Sequence, residues 1–587
     1  MTMEPDLVIA IDIGSTYSGY ACQFRDTFKN NPRDIWMNNR WGSTNNTHKT
    51  TTCVLIRVDN REVIAIGDIA EMKFSKMYDE DETLNIASNY YFFKNFKMVL
   101  YNETFKVNDG ELGYAEDYFS RHEPITFVMS KLIEGLKKDC LERFTEKRNL
   151  IIPKAKIRWV LTIPAIWNDD AKNAMRKSAN MAGIPDNQLI LALEPEAAAV
   201  HCMYLSPQEK SIMDGLGDVG DRFMVIDLGE GGTVDITTVE VIDDGCLKQI
   251  HRANGGPWGG QRINDSFSHL IRDVFQTEDG NSVFARCKKA QLLKMEEEFE
   301  QHKVNIKEDR ERGEEWIKLP LPDDVWDEVR DHIKLNPTKY TQYFNKTRSG
   351  LEFKPEVIQK QLFGETLDLI VKHLQSIFCE TSMQGIENIV LVGGFAEAPI
   401  VREKITKALP GKHIFIPTNP FYAVLKGAVL YGHNPNIFKS RISPFTYGIK
   451  KRSMFDSKMH NKQKRIRKPD GTFWCKDVFD VHVKRDQIVS LNEEQPTLIY
   501  HPVDKDQTFA NVEIFQSELQ NPEYVTDEKC KKLGTLVIDM PDTTGGCDRD
   551  VEVTMIYGGT ELGVKAIDKN TGREFKTTIV YDRYSSF

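Results

Sequence analysis

Two aspartates carry the first chemical signal in this chain. Asp227 closes the apolar run Phe223–Ile226. Gly229, Glu230, Gly231, Gly232 and Thr233 follow it, before a second apolar run, Val234–Val241. Near the N-terminus the same pattern appears in Leu7–Phe24 (LVIAIDIGSTYSGYACQF), where Asp12 precedes Gly14, Ser15, Thr16 and Tyr17. The β-branched residues on either side predict a hairpin in each place. Glycines in the turn let backbone N–H groups point into one concavity, which suits phosphate oxygens. A carboxylate at the strand end is placed to orient a hydrated Mg²⁺. One such turn alone is equally an acidic, glycine-rich hairpin with no ligand. Two of them, about two hundred residues apart, predict a duplicated lobe facing itself across a cleft.

Other residues could join them. Asn388–Pro399 (NIVLVGGFAEAP) is a buried-type strand running into Gly393-Gly394 and then a helix start. Lys94 and Lys97 lie in the aromatic stretch Tyr90–Tyr101. Each is either a snorkelling surface lysine or a point charge for a terminal phosphate. Glu194 precedes Pro195 at the mouth of a helix, either as a dipole-capping carboxylate or as a holder of metal-bound water. Glu300 and Lys303 stand three apart on a helix face, a spacing that ordinarily only steadies the helix.

The elements that must position these groups are those of a mixed α/β protein. At 587 residues the chain exceeds one hydrophobic core, so two to four packing units are expected. With 40% hydrophobic and 28% charged residues it has the composition of a soluble globular protein. The net charge of −10 argues against a nucleic-acid groove, and the basic run Lys450–Lys468 reads as a solvated loop. The ten cysteines show no CxxC pairing, so neither a zinc site nor a disulfide framework is expected, and a reducing, cytoplasmic setting is. No apolar leader or membrane-length run is found. The sequons at Asn45 and Asn102 therefore read as chance.

Apolar spacing predicts one long helix over Gly113–Arg148, a strand Lys156–Pro164, a helix over Asp169–Ala182, and within Leu189–Tyr204 a helix whose mouth is at Glu194. Helical stretches are also expected from Arg262 to about Val304, over Glu356–Met383, and over Ala398–Leu409 and Ala423–Leu430. The charged segment Glu308–Lys354 reads as a variable excursion. From Arg441 the texture changes to about eight short β runs, such as DVFDVHV, GTLVIDM and DVEVTMIYG, the spacing of a sandwich or partly open sheet.

These residues resemble the seventy-kilodalton heat-shock proteins, and within them the divergent 12A/12B-like subgroup. The likeness rests on Ile11–Tyr17, Val160–Ala165 with Trp167-Asn168-Asp169, Glu194–Ala199, Asp227–Asp235 and Val392-Gly393-Gly394, in order across residues 7–432. Beyond 441, SPFTYGI, GTFWCKDVFD, KKLGTLVIDM and VKAID resemble the subgroup's own C-terminal region.

The resemblance implies an α/β, actin-like two-lobed ATPase (duplicated ribonuclease-H-like lobes), followed by a β-rich C-terminal domain. The nucleotide-binding domain would span 1–436, with lobes of about 1–187 and 188–436. A linker at 437–443 and a substrate-binding-like β domain at 444–587, without a helical lid, would follow. By the same resemblance Asp12 and Asp227 orient Mg²⁺ through water, and Glu194 positions a metal-bound water. Ser15, Thr16, Gly231, Gly232 and Thr233 hold the phosphates of ATP or ADP, and Lys97, or failing it Lys94, meets the terminal one. Glu300, Lys303, Gly393 and Gly394 flank the nucleoside. Gly14, Tyr17, Gly229, Gly259 and Gly260 complete the binding set.

The chain also departs from the family. The second turn is one residue longer and carries Glu230. Val304, Glu397 and Phe421 stand where two arginines and an aspartate are expected, and the acidic-leucine linker is replaced by Asn436–Ser440. Two functions follow as expectations. One is an ATP-binding, weakly hydrolysing chaperone-like protein of the stress response, its nucleotide controlling an unknown protein client through 444–587. The other is a non-enzymatic adaptor with a structural or degenerate nucleotide site. A sugar or polyol kinase shares the cleft but leaves the tail past 441 without a place.

Overall fold

The computed structural model describes residues 4–41, 47–80, 85–101, 113–146, 152–212, 216–276, 289–306, 318–320, 323–335, 337–346, 350–468, 470–491, 494–558 and 561–578. The sequons Asn45 and Asn102, and parts of the stretches 262–304 and 308–354, lie outside these residues. The chain divides into two compact units. One comprises Met1–Trp167, Ala174–Thr237 and Asn254–His433; the other comprises Asn168–Asn173, Thr238–Ala253 and Asn434–Phe587.

In the first unit the strand Leu7–Ile13 is buried along its whole length. It runs parallel to Ile157–Ile163, in register from Leu7 opposite Ile157 to Ile11 opposite Leu161. On its other edge it pairs antiparallel with Tyr17–Phe24, Asp12 opposite Gly19. A strand covered on both faces reads as unbroken apolar sequence, which is why Asp12 stands out. Leu189–Leu193 extends the sheet and runs directly into the helix Glu194–Met203, with Pro195 in its first turn. The construction recurs around Arg222–Leu228. This strand is parallel to Asn388–Val392, with Asp227 opposite Val392, and is followed in the sheet by the beginning of Val234–Ile242. Each aspartate thus ends a buried strand that has a parallel neighbour on one side and its own hairpin partner on the other.

The structure corrects or refines the sequence expectation in several elements. The helix expected from Gly113 begins at Ile125, after a two-stranded hairpin, Tyr114–Glu116 with His122–Pro124. Pro124 cannot lie inside a helix, and Asp117 builds the turn by accepting the backbone N–H groups of Phe119 and Arg121. The aromatic stretch Tyr90–Tyr101 divides into a strand, Tyr90–Lys94, and a short 3₁₀ helix, Phe96–Leu100. Asn95 between them sits in the left-handed region at φ 55°. The chain therefore turns between Lys94 and Lys97. In the helical region from Arg262 the structure describes two helices, Gln261–Val274 and Lys289–Lys303. The stretch Glu356–Met383 is interrupted near Phe363, before the helix Gly364–Phe378.

The second unit is built of strands. Arg465–Arg467, Phe473–Val483, Thr446–Met454, Phe509–Ser517 and Cys530–Asp539 form one antiparallel sheet. Leu498–Tyr500, Val551–Gly558, Glu561–Asp568 and Arg573–Thr578 form another. Ile449, Ile514 and Ile538 from the first sheet share one core with Val553, Met555 and Val564 from the second. Inward-facing residues from two sheets packing in this way are the interior of a sandwich. Among the described residues no helix is long and apolar enough to cross a membrane.

Candidate functional site

The two hairpins of the first unit meet. The backbone N–H of Gly232 donates to Ser15 Oγ at 3.3 Å. A β-carbon on Gly231 would lie 2.9 Å from the Ser15 backbone nitrogen, so only glycine permits this approach. The second turn is braced from behind by the loop after Gly255. Gly260 N–H donates to Gly229 O at 2.9 Å, Gln261 N–H to Gly231 O at 2.9 Å, and Gly259 N–H to Gly232 O at 3.2 Å. These bonds turn the carbonyls of the turn toward the loop.

Around the junction lies a cleft of about 500 Å³, counting its space open to solvent. Asp12, Gly14, Ser15 and Tyr17 line it from the first hairpin, and Asp227, Gly229, Glu230, Gly231, Gly232 and Thr233 from the second. Lys97, Glu194, Gly393 and Gly394 join them, with Lys49, Phe421 and Val424. Gly393 is in the left-handed region at φ 85°, and a side chain there would strike Leu228 O.

The expected set is brought together apart from five residues. Thr16, Gly259, Gly260, Glu300 and Lys303 do not line the cleft. Lys303 is fully buried and spends its ammonium on Glu300 Oε2 at 2.7 Å, and on Gly260 O and Asn264 Oδ1 at 3.1 Å each. It holds the bracing loop instead. Glu300 is also tied to the Asn264 side-chain amide. Lys94 pairs with Glu71 at 2.8 Å, outside the lining residues, whereas Lys97 reaches Glu194 Oε1 at 2.7 Å inside the cleft.

Sequence reasoning missed Lys49, whose Nζ lies 2.7 Å from Asp12 Oδ2. The register explains its arrival. Thr50 pairs with Ser18 and Thr51 with Tyr17, so Lys49 falls beside Gly19, the residue opposite Asp12. Its stem crosses that glycine, where a β-carbon would lie 3.0 Å from Lys49 Cγ. A glycine inside a strand pattern marks such an approach, and Gly19 was the available signal.

The electrostatics follow from the acids Asp12, Glu194, Asp227, Glu230 and Asp235 and the buried lysines Lys49, Lys97 and Lys303. Burial opposes ionisation of Asp12, but Lys49, Lys97 and the Thr162 hydroxyl outweigh it and hold its carboxyl below the usual range. Asp227 is pushed well above the usual range by burial, then by Glu194, Asp235 and Asp12, against the weaker help of Lys49. Glu194 is raised to about 7 by burial, in spite of Lys97. Glu230, the extra residue of the second turn, faces inward. Burial and Glu300 push its carboxyl to about 7, against Lys303 and Lys49. Asp235 is raised by burial but is tethered by the backbone N–H groups of Ala165 at 2.6 Å and Ile166 at 3.3 Å.

All of these donors are carboxylate oxygens, the type a hard divalent cation takes. Among the described residues no three His, Cys, Asp or Glu side chains gather closely enough to grip a metal directly. The oxygen chemistry of the set fits Mg²⁺, and Asp227, opposed by three other acids, is the carboxylate such a cation would relieve.

A family model described as Hsp70 protein matches residues 128–583. Human heat shock 70 kDa protein 12A is 29% identical over 98% of this chain and 92% of its own length, as is its mouse counterpart. Human heat shock 70 kDa protein 12B is 28% identical over 98% of this chain and 90% of its own length. The chain belongs to the Hsp70 family.

Proposed function

We propose that this Hsp70-family chain binds ATP or ADP with Mg²⁺ in the cleft around Asp12 and Asp227 and hydrolyses ATP slowly. One observation carries the reading: two aspartates that end separate buried strands line one cleft at the contact of Ser15 with Gly232. In this reading the turn N–H groups of both hairpins, with Ser15 and Thr233, hold the phosphate chain. Lys97 donates to its end, and Asp12 and Asp227 orient the waters of the cation. Bound Mg²⁺ would supply neutralisation of the charge that develops on the transferred phosphoryl oxygens. Glu194, with its carboxyl near 7, can accept a proton at neutral pH from a water held in the cleft. Catalysis is then positioning and charge neutralisation, with no covalent intermediate.

The domain reading belongs to the same proposal: nucleotide binding in 1–436, a linker at 437–443, and a β domain at 444–587 that receives a protein client or partner. Closure of the two lobes on nucleotide would alter what that domain holds, as hinge closure does around other ligands. Calorimetric titration of the full chain with Mg²⁺-ATP, paired with thermal melts, tests the reading. Binding heat and a raised melting temperature are expected; their joint absence rejects it.

Glu230 favours a second reading. A buried carboxylate in the phosphate turn opposes a polyanion, which suits an adaptor that keeps nucleotide for structure or has lost it. Single-turnover hydrolysis by the intact chain and by Asp12→Ala separates the two, since equal rates favour the adaptor.

A further inference from the structure

We propose that Lys49 is a second phosphate-binding lysine of the cleft, parked on Asp12 and able to turn to the phosphate chain of the nucleotide. The inference rests on the nucleotide reading above and extends it to a residue that no motif in this sequence marks. Three surfaces hold the side chain. Gly19 lies under its stem, Asp12 Oδ2 is 2.7 Å from its ammonium, and the Phe421 ring centroid lies 4.4 Å from Nζ. Phe421 is itself steadied edge-on by Tyr17, with ring centroids 5.8 Å apart. Lys49, Phe421 and Tyr17 all line the cleft.

An ammonium has three donors. Asp12 takes one, and the ammonium also lies on the cleft wall. Burial alone would strip the proton from this lysine, but Asp12 first, then Asp227 and Glu230, keep it charged. Lys97 is arranged in the same way, 2.7 Å from Glu194 and 5.4 Å from the centroid of Trp167. Each lysine is thus stored on a carboxylate and backed by an aromatic face, and the two share one wall-lined space. A triphosphate presents several anionic oxygens, and two desolvated ammoniums at one site neutralise more of that charge than one can. Lys49 also faces Glu230, which gives the longer acidic turn a cation to offset it. Phe421 stands where the family resemblance leads one to expect an aspartate. A ring there leaves the lysine charge free for the ligand, whereas a carboxylate would bind it.

The test measures the affinities of Mg²⁺-ATP, Mg²⁺-ADP and adenosine for the full chain, as wild type, Lys49→Met and Lys49→Gln. If Lys49 meets phosphate, both variants weaken ATP by about 10- to 100-fold, ADP by less, and adenosine by about twofold at most. Equal loss for all three ligands, or no loss with folded variants, overturns the proposal. Failure of the wild type to bind ATP rejects the nucleotide reading itself, which is a different result. Thermal melts without ligand report whether the variants fold. A measurement on the wild type stands beside them: methylation of Lys49, read by peptide mass spectrometry, is expected to slow with ATP and not with adenosine. Equal protection by both ligands, or by neither while ATP binds, overturns the proposal.

Discussion

The side chain of Glu230 lies in the notch left by Gly394, where any β-carbon would collide with the Glu230 carboxyl. An acid from the second glycine turn therefore stands against the glycine expected to face the nucleoside, with its carboxyl raised by burial to about 7.

The first prediction follows from that placement. Below pH 7 Glu230 is protonated and adds no charge; above it, the carboxylate repels a polyphosphate. Affinity for Mg²⁺-ATP should rise by about tenfold from pH 8 to pH 6. Glu230→Gln should bind ATP more tightly at pH 8 and show a flatter profile. Parallel profiles for variant and wild type would remove Glu230 from the cause.

A second prediction concerns stability. Asp12 and Lys49 are both buried and mutually paired, so Asp12→Ala leaves an unpaired ammonium inside the protein. Breaking a buried pair on one side costs about 3–5 kcal/mol. Asp12→Ala combined with Lys49→Met should recover much of that loss in denaturant unfolding followed on the full chain. Simple additivity of the two single variants would show that the pair is not coupled.

Lys97→Met and Lys94→Met should part company. Lys97 is in the cleft on Glu194; Lys94 is on a strand beside Glu71. Single-turnover ATP hydrolysis should fall by at least about 100-fold in Lys97→Met. In Lys94→Met it should stay within about twofold, because Lys94 does not line the cleft.

His433 supplies an acid-stability prediction. Burial lowers its imidazole to about 4, and the ring stacks on Phe28 with centroids 4.4 Å apart. The folded state keeps it neutral, whereas the unfolded chain takes up a proton near pH 6.5. Stability is then full above pH 6.5 and is lost as pH falls toward 4, by up to about 3 kcal/mol. His433→Phe should flatten that limb in melts between pH 7 and 4.5.

How much of this was legible beforehand differs residue by residue. Asp12 and Asp227 announced themselves as charges ending unbroken apolar strands, and the structure brings both to one cleft. Several of the short runs past Arg441 coincide with observed strands, for example GTLVIDM within Cys530–Asp539. Local spacing does not show that Lys97 lines the cleft and Lys94 does not, because the chain turns at the left-handed Asn95 between them. Lys49 was missed because strand register, not sequence proximity, carries it to Asp12, with Gly19 its one trace in the sequence. The helix expected from Gly113 failed where Asp117 and Pro124 imposed a turn that periodicity does not register. Glu300 and Lys303 were assigned to the nucleoside by resemblance, yet here they are occupied with each other and with Asn264.

That occupation has a mechanical meaning. Lys303 ends the helix Lys289–Lys303 and donates to the Gly260 carbonyl, while the amide of Gly260 donates to the Gly229 carbonyl in the second glycine turn. Helix end, loop and turn are thus linked in series. A push on the helix arrives at the turn as a displacement of its amides, so a protein bound to that helix could loosen or tighten whatever the turn holds without reaching into the cleft.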